Sequence, residues 1–150
     1  MTTTSGKSRP MEILLVEDND SDVELTRASF TRLKLAVNVH HVKDGEECMA
    51  FLRRQGKYAA TPFPDVMLLD LNMPEVDGFS FLKNFKELPD QIKSKSKIVV
   101  LTSSNSAKDR SQAFTFPNVI QFITKPLKQT DIEDLKKLIN HSEFTGQANS

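Results

Sequence analysis

The feature that most restricts this chain is a series of short, unbroken apolar runs: Ile13-Leu14-Leu15-Val16, Val66-Met67-Leu68-Leu69, Ile98-Val99-Val100-Leu101, and Val119-Ile120 with Phe122-Ile123. Successive strand residues point to opposite faces, so a strand with one wet face alternates apolar and polar. A short run that is apolar at every position needs cover on both faces, as in a parallel sheet held between helices. A fifth stretch, Val37-Asn38-Val39-His40-His41-Val42, is partly polar and is expected at a sheet edge.

Helical patterns fill the gaps. Asp20 to Leu33 can bury Val23, Phe30 and Leu33, with Ala28 at the margin. Asp44 and Glu47 form a capping box ahead of Cys48, Phe51 and Leu52, and Gly56 is placed to end that helix. Phe81, Leu82 and Phe85 form a third apolar face after Asp77-Gly78, with Pro89 beyond it. A fourth, shorter helix follows Asn105-Ser106, carries Ala113 and Phe114, and stops by Pro117-Asn118. Thr130 and Glu133 make a second capping box ahead of Ile132, Leu135, Leu138 and Ile139, with Lys136 and Lys137 near the negative end of the helix dipole. Strand and helix alternate five times, which predicts a single-domain, doubly wound (βα)5 α/β sandwich around a five-stranded parallel sheet.

Size and charge narrow the function. At 150 residues the chain accommodates about one compact domain, and 38% hydrophobic with 27% charged residues suits one buried core. Twenty basic residues balance twenty acidic ones, which argues against a DNA-binding role. The lone Cys48 excludes an internal disulfide or thiolate zinc cluster and fits a cytoplasmic setting. No apolar run approaches the ~20 residues of a membrane span, so no membrane partner is expected. Residues 1–10 read as a disordered leader, 11–141 as the folded domain and 142–150 as a flexible tail.

In open α/β sheets ligands bind beyond the carboxyl ends of the strands. Here the apolar runs stop at Glu17-Asp18, at Asp70, at Thr102 and at Thr124-Lys125. Each piece has a plain reading: Asp18-Asn19-Asp20 as turn and cap, Asp70 as a loop opening, Thr102-Ser103-Ser104 as a polar loop, Lys125 as a surface lysine. Together they put three carboxylates, a hydroxyl and an amine at converging strand ends. Clustered carboxylates repel and need a cation, and an oxygen-only donor set suits a hard divalent ion such as Mg²⁺. A nearby lysine and hydroxyl would clamp a transferring phosphoryl group, and a carboxylate can accept one.

The sequence Leu15-Val16-Glu17-Asp18-Asn19, then Leu69-Asp70-Leu71-Asn72-Met73-Pro74 with Asp77-Gly78, then Leu101-Thr102-Ser103, then Lys125-Pro126, resembles the receiver domain of two-component response regulators from about Met11 to Ile139. Arg53-Arg54-Gln55-Gly56-Lys57-Tyr58 and Phe63-Pro64-Asp65 further resemble short stand-alone receivers found with phytochrome-type histidine kinases. The resemblance implies a flavodoxin-like strand order 2-1-3-4-5 and Asp70 as phosphoacceptor. Asp18 would bind Mg²⁺ (or Mn²⁺) directly and Glu17 through water, with Asp70 and the Asn72 backbone carbonyl completing the protein's ligands. Lys125 would pair with Asp70 and then with the phosphoryl group, and Thr102 would hydrogen-bond a phosphoryl oxygen. Phe122 stands at the switch-aromatic position, where the family often has tyrosine; phenylalanine keeps the packing arm of the switch and lacks the hydroxyl. Asn72 and Ser104 occupy positions that tune phosphoryl lifetime, and the Lys125-Pro126 bond is usually cis.

The partners so implied are a sensor histidine kinase and a downstream protein target or phosphotransfer protein, with the receiver a monomer or weak dimer. The chain is expected to be a signalling module with no enzymatic role beyond its own phosphotransfer and autodephosphorylation. A phosphorelay intermediate or phosphate sink is the alternative. A haloacid-dehalogenase-type phosphatase fits less well, since Asp70-Leu71-Asn72-Met73-Pro74 lacks that family's second acid and threonine. A binding-only pseudo-receiver would have a damaged acidic site, and this one is complete. His40, His41 and His141 lack metal-ligand spacing and are read as packing or solvent-facing. Cys48, Phe81, Phe85 and Phe114 are read as core, and Lys93, Lys95 and Lys97 as a solvated basic loop.

Overall fold

The computed structural model describes residues 9–71, 78–103 and 106–138. Five parallel strands, β1 (Met11–Val16), β2 (Val37–Val42), β3 (Val66–Asp70), β4 (Ile98–Thr102) and β5 (Val119–Thr124), pair in the order β2-β1-β3-β4-β5. The polar stretch at Val37–Val42 occupies an edge. The three central strands carry the unbroken apolar runs, because helices cover both of their faces.

The period of two sorts the runs into two cores. Leu14 and Val16 of β1, with Met67 and Leu69 of β3, pack against Cys48, Phe51, Phe81, Leu82, Phe85 and Ala113. These come from the helices α2 (Gly45–Leu52), α3 (Gly78–Phe85) and α5 (Ala107–Ala113). Ile13, Leu15, Val66 and Leu68 pack on the opposite face against Val23 and Phe30 of α1 (Asp20–Arg32) and Ile132 and Leu135 of α6 (Gln129–Leu138). Burying each such side chain stabilises the fold by ~1.5–3 kcal/mol. A short helix, α4 (Asp90–Lys93), interrupts the segment before β4; it adds one element to the expected alternation and takes in Lys93, the first residue of the expected basic loop.

Local chemistry explains most element boundaries. Asn19 caps α1 by accepting from the Asp22 amide at 2.9 Å, and Ser106 caps α5 by accepting from Asp109 at 3.1 Å. Asp44 caps α2 through the Glu47 amide at 2.8 Å, while Glu47 reaches back one residue further than expected, to the Lys43 amide. Gly56 does not end α2. The helix closes at Arg54, which holds φ 57 while Gln55 donates to the Ala50 carbonyl and Arg54 to that of Phe51. The left-handed residue of such a terminus must lie two positions past Leu52, and Gly56 instead opens a 3-10 turn, Gly56–Tyr58. Lys34, φ 58, ends α1 in the same way.

Three further expectations about helix residues are corrected. Thr130 lies inside α6; the amide of Lys128 is satisfied by Asp131 instead, at 2.9 Å. Leu138 is 50% exposed, because three-residue steps from Ile132 and Leu135 drift by roughly 60° each around a helix. Phe114 is 41% exposed while Ala113 and Phe116 point inward, since the residue after a buried helical position lies about a quarter-turn away. Arg9, assigned to the leader, is paired through both guanidinium nitrogens with Asp65, which also accepts from the Glu12 amide. Ile139 and His141 lie outside the described residues, as does the tail.

Candidate functional site

The carboxyl ends of β1, β3 and β5 bring the candidate residues together. Glu17 follows β1, and its backbone is anchored to the edge strand on both sides. Its amide donates to the Val42 carbonyl at 3.0 Å, and His41 Nε2 donates to its carbonyl at 2.7 Å. Its side chain is buried although no β-sheet or helix core calls for a carboxylate there. Asp18 is exposed beside it, and Asp70, the last residue of β3, is buried. Carboxylate oxygens of Glu17, Asp18 and Asp70 lie within 4.8 Å of one another.

Lys125 supplies the positive charge. In the β4–β5 pairing a register irregularity at Ile98/Val99 precedes Val100↔Phe122 and Thr102↔Thr124, which brings Lys125 level with the end of β4. The Lys125 amide donates to the Thr102 carbonyl at 2.8 Å, and the Lys125-Pro126 bond is cis. From there Nζ reaches Glu17 at 3.2 Å, Asp22 at 3.3 Å and Asp70 at 3.5 Å. Burial alone would lower the Lys125 pKa; Asp70, Glu17 and Asp22 outweigh it and the net shift is upward. The Glu17 pKa also rises, which for a carboxyl disfavours the charged form: it is pushed up to about 7 by burial first and then by its hydrogen bond and charge repulsion with Asp70, against the pull of Lys125. The cluster therefore carries more negative charge than one ammonium can offset.

A cavity of about 240 Å³ lies over these groups, lined by Glu17, Asp18, Asn19, Asp22, Asp70, Ser103 and Lys125. Four carboxylates line one opening, three of them clustered and with neither His nor Cys among them; the set fits a hard divalent cation and leaves room for phosphate oxygens. Thr102 is fully buried at the end of β4. By strand parity Thr102 shares a face with Val100, and Phe122 packs into that same face. The backbone carbonyl of Phe122 accepts from Arg110 at 3.4 Å, and the Arg110 guanidinium lies 5.8 Å from the Phe122 ring and 5.4 Å from that of Phe114. Asn72 and Ser104 lie outside the described residues.

The response regulator receiver domain model matches residues 13–138. The chain belongs to the response-regulator receiver family. This receiver is 34% identical over 134 residues to Response regulator Rcp1 of Synechocystis sp., spanning 89% of this chain and 87% of that one. Among solved structures it is similar to the phosphorylated cyanobacterial phytochrome response regulator RcpA, with a TM-score of 0.70, 31% identity and coverage of 93% and 99% of the two chains. It is also similar to the Mn²⁺-bound form of Rcp1, with a TM-score of 0.65, 31% identity and coverage of 94% and 98%. The likeness to short phytochrome-associated receivers thus extends over nearly the whole chain. Receivers act in signalling with histidine kinases, and phosphoaspartate and divalent-metal binding are features of the family. Among the described residues no helix is long and apolar enough to cross a membrane.

Sequence reasoning assigned no individual role to Asp22 or Arg110 and read His41 as packing or solvent-facing, whereas Ser103, the small residue beside Thr102 in the motif, does line the cavity. Asp22 had a visible signal, an acid four residues after Asp18 on the first turn of a helix. His41 and Arg110 act through a ring nitrogen and a guanidinium that meet the Glu17 and Phe122 carbonyls across the fold.

Proposed function

We propose that this receiver accepts a phosphoryl group from a histidine kinase on Asp70 and uses the modification to switch a protein-interaction face. The observation that carries the reading is the placement of the buried Asp70 carboxylate between two further carboxylates and the Lys125 ammonium at an open cavity. Glu17, Asp18, Asp70 and the Asn72 carbonyl would hold Mg²⁺, with Mn²⁺ as a substitute. A bound divalent ion supplies charge neutralisation for the incoming phosphoryl oxygens.

The protein's own groups do the rest. One Asp70 oxygen attacks phosphorus in line, the bond from phosphorus to the donor breaks, and the donor group leaves with its electron pair. Lys125 pairs with Asp70 beforehand and with a phosphoryl oxygen afterwards. Thr102 hydrogen-bonds a second oxygen, drawing its loop inward, and Phe122 packs into the space vacated. These shifts bias an equilibrium between two packings of the face formed by α5, β5 and α6. Moving that equilibrium from 1:99 to 99:1 takes ~5.5 kcal/mol of differential interaction. Asn72 and Ser104 would tune how quickly water removes the phosphoryl group. The downstream recipient is a protein target or a phosphotransfer protein, and the setting is cytoplasmic.

Incubation with radiolabelled acetyl phosphate and Mg²⁺ tests the assignment. The unaltered chain should label and Asp70→Asn should not, with unchanged circular dichroism. Full labelling of Asp70→Asn would sink it. Profiling against purified histidine kinases of the same genome would then identify the donor, and transfer onward to a histidine phosphotransfer protein would favour a relay role over a diffusible messenger.

A further inference from the structure

Lys125 has three carboxylate partners, and one of them stands apart from the acidic cluster. Asp22 projects from the first turn of α1 with its side chain 37% exposed, and lies 3.3 Å from Nζ, nearer than the 3.5 Å of Asp70. Its backbone is fixed by the Asn19 cap, so the carboxylate is presented to Lys125 by the geometry of the helix terminus. The cavity over Asp70 and a second cavity of about 420 Å³ between α1 and Pro126-Leu127 share two lining residues, Asp22 and Lys125. The ion-paired residues thus border both cavities.

We propose that Asp22 is a positioning residue that acts through Lys125 and brakes phosphorylation by holding the ammonium to one side of the acceptor. The inference rests on Asp70 being that acceptor. An ammonium has three donors and here meets three carboxylates. A phosphoryl group arriving on Asp70 adds acceptor oxygens at the same place, and Lys125 can serve them only by giving up a present partner. The Asp70 contact is the one exchanged for a phosphoryl oxygen, while Asp22, which lies outside the metal-binding set, keeps its hold on the ammonium and opposes its shift toward the phosphoryl group. Replacing the Asp22 carboxylate frees one donor in advance and removes a competitor for the charge.

The test compares acetyl phosphate labelling rates, with Mg²⁺, for the unaltered chain and for Asp22→Asn, Asp22→Glu, Asp20→Asn and Asp70→Asn. Asp22→Asn should label three- to tenfold faster, and Asp22→Glu, which keeps a carboxylate in reach, within twofold of the unaltered chain. Asp20 is an exposed acid on the same helical turn with no ion pair to Lys125; its Asn variant controls for net charge and for helix-end effects and should stay within twofold. A merely structural role for Asp22 would lower the melting temperature without raising the rate. An unchanged or slower Asp22→Asn, or an equal gain in Asp20→Asn, would overturn the proposal while leaving the acceptor assignment intact. Absence of labelling in the unaltered chain would remove the acceptor assignment and this inference with it.

Discussion

Removing a charge from the buried site should stabilise the metal-free protein, and Glu17→Gln is the perturbation that isolates it. Glu17 is 1% exposed, and its carboxyl is held at about 7 rather than 4.5 by burial and by Asp70. A rise of that size corresponds to at most ~3.5 kcal/mol between the two protonation states. Because the folded pKa lies above the unfolded one, the folded state keeps its proton while the unfolded state releases it between pH 4.5 and 7. Stability from this group is therefore present below about pH 4.5, is lost as pH rises to about 7, and stays lost above. Glutamine has the shape of the protonated acid and cannot ionise. Allowing for relaxation, Glu17→Gln should gain ~1–2 kcal/mol at pH 8 in EDTA and under ~1 kcal/mol at pH 5. The chain has no tryptophan and one tyrosine, so urea unfolding is best followed by far-ultraviolet circular dichroism. With a slope of ~2 kcal/mol per molar urea, the midpoint shifts by roughly 0.5–1 M at pH 8. Added Mg²⁺ should close the gap by stabilising the unaltered chain more than the variant. A variant less stable than the parent at pH 8 in EDTA, or a difference independent of pH, would refute the electrostatic account.

Other substitutions probe the scaffold. Lys34→Gly and Arg54→Gly each replace a side chain at φ near 58° and 57°, and should stabilise by ~0.5–1 kcal/mol, additively, in thermal melts. A loss in either would show that the side chain makes a compensating contact. Phe81→Ala should cost ~3–5 kcal/mol, since Phe81 is 1% exposed, whereas Phe114→Ala should stay within about 1 kcal/mol; equal losses would contradict the burial assignments. Cys48 is buried, which pushes its thiol pKa up, so a maleimide should modify it only at the rate of unfolding. Rapid modification under native conditions would place the thiol elsewhere.

The sheet was legible in the sequence because burial on both faces leaves an unmistakable pattern. Every residue of Leu14-Leu15 and Val99-Val100 had to be apolar once helices covered both sides. Four site residues were legible for a related reason: Glu17, Asp18, Asp70 and Lys125 interrupt apolar runs at the place where a parallel sheet offers its ligand end. What stayed hidden was set by side-chain direction and not by residue type. Phe114 and Phe116 are chemically identical neighbours, and the point where α5 stops decides which of them meets the core. Arg54 ends a helix that glycine was expected to end, because hydrogen bonds to Ala50 and Phe51 outweigh the cost of a left-handed arginine. His41 reads as an ordinary edge-strand residue until its ring is seen to hold the Glu17 carbonyl.

A net charge of zero also takes on a different meaning once the charges are placed. Five acids and no base lie between Glu17 and Glu24, whereas Lys93 to Arg110 holds five bases and one acid. The first stretch runs through the site, where one lysine faces Glu17, Asp22 and Asp70 with Asp18 close by. Such a site is destabilising when it holds nothing, as the raised pKa of Glu17 registers. A bare phosphoryl donor, itself anionic, is repelled from it, and a divalent cation is attracted. Each would be bound more favourably once the other is present, since the cation offsets the repulsion the donor meets and the donor completes the cation's oxygen shell. By reciprocity the coupling is the same whichever arrives first. An excess of carboxylates would therefore make the proposed dependence of phosphoryl transfer on a divalent ion a property of the site's own charge. Neutralising Glu17 should weaken that dependence as well as stabilise the fold.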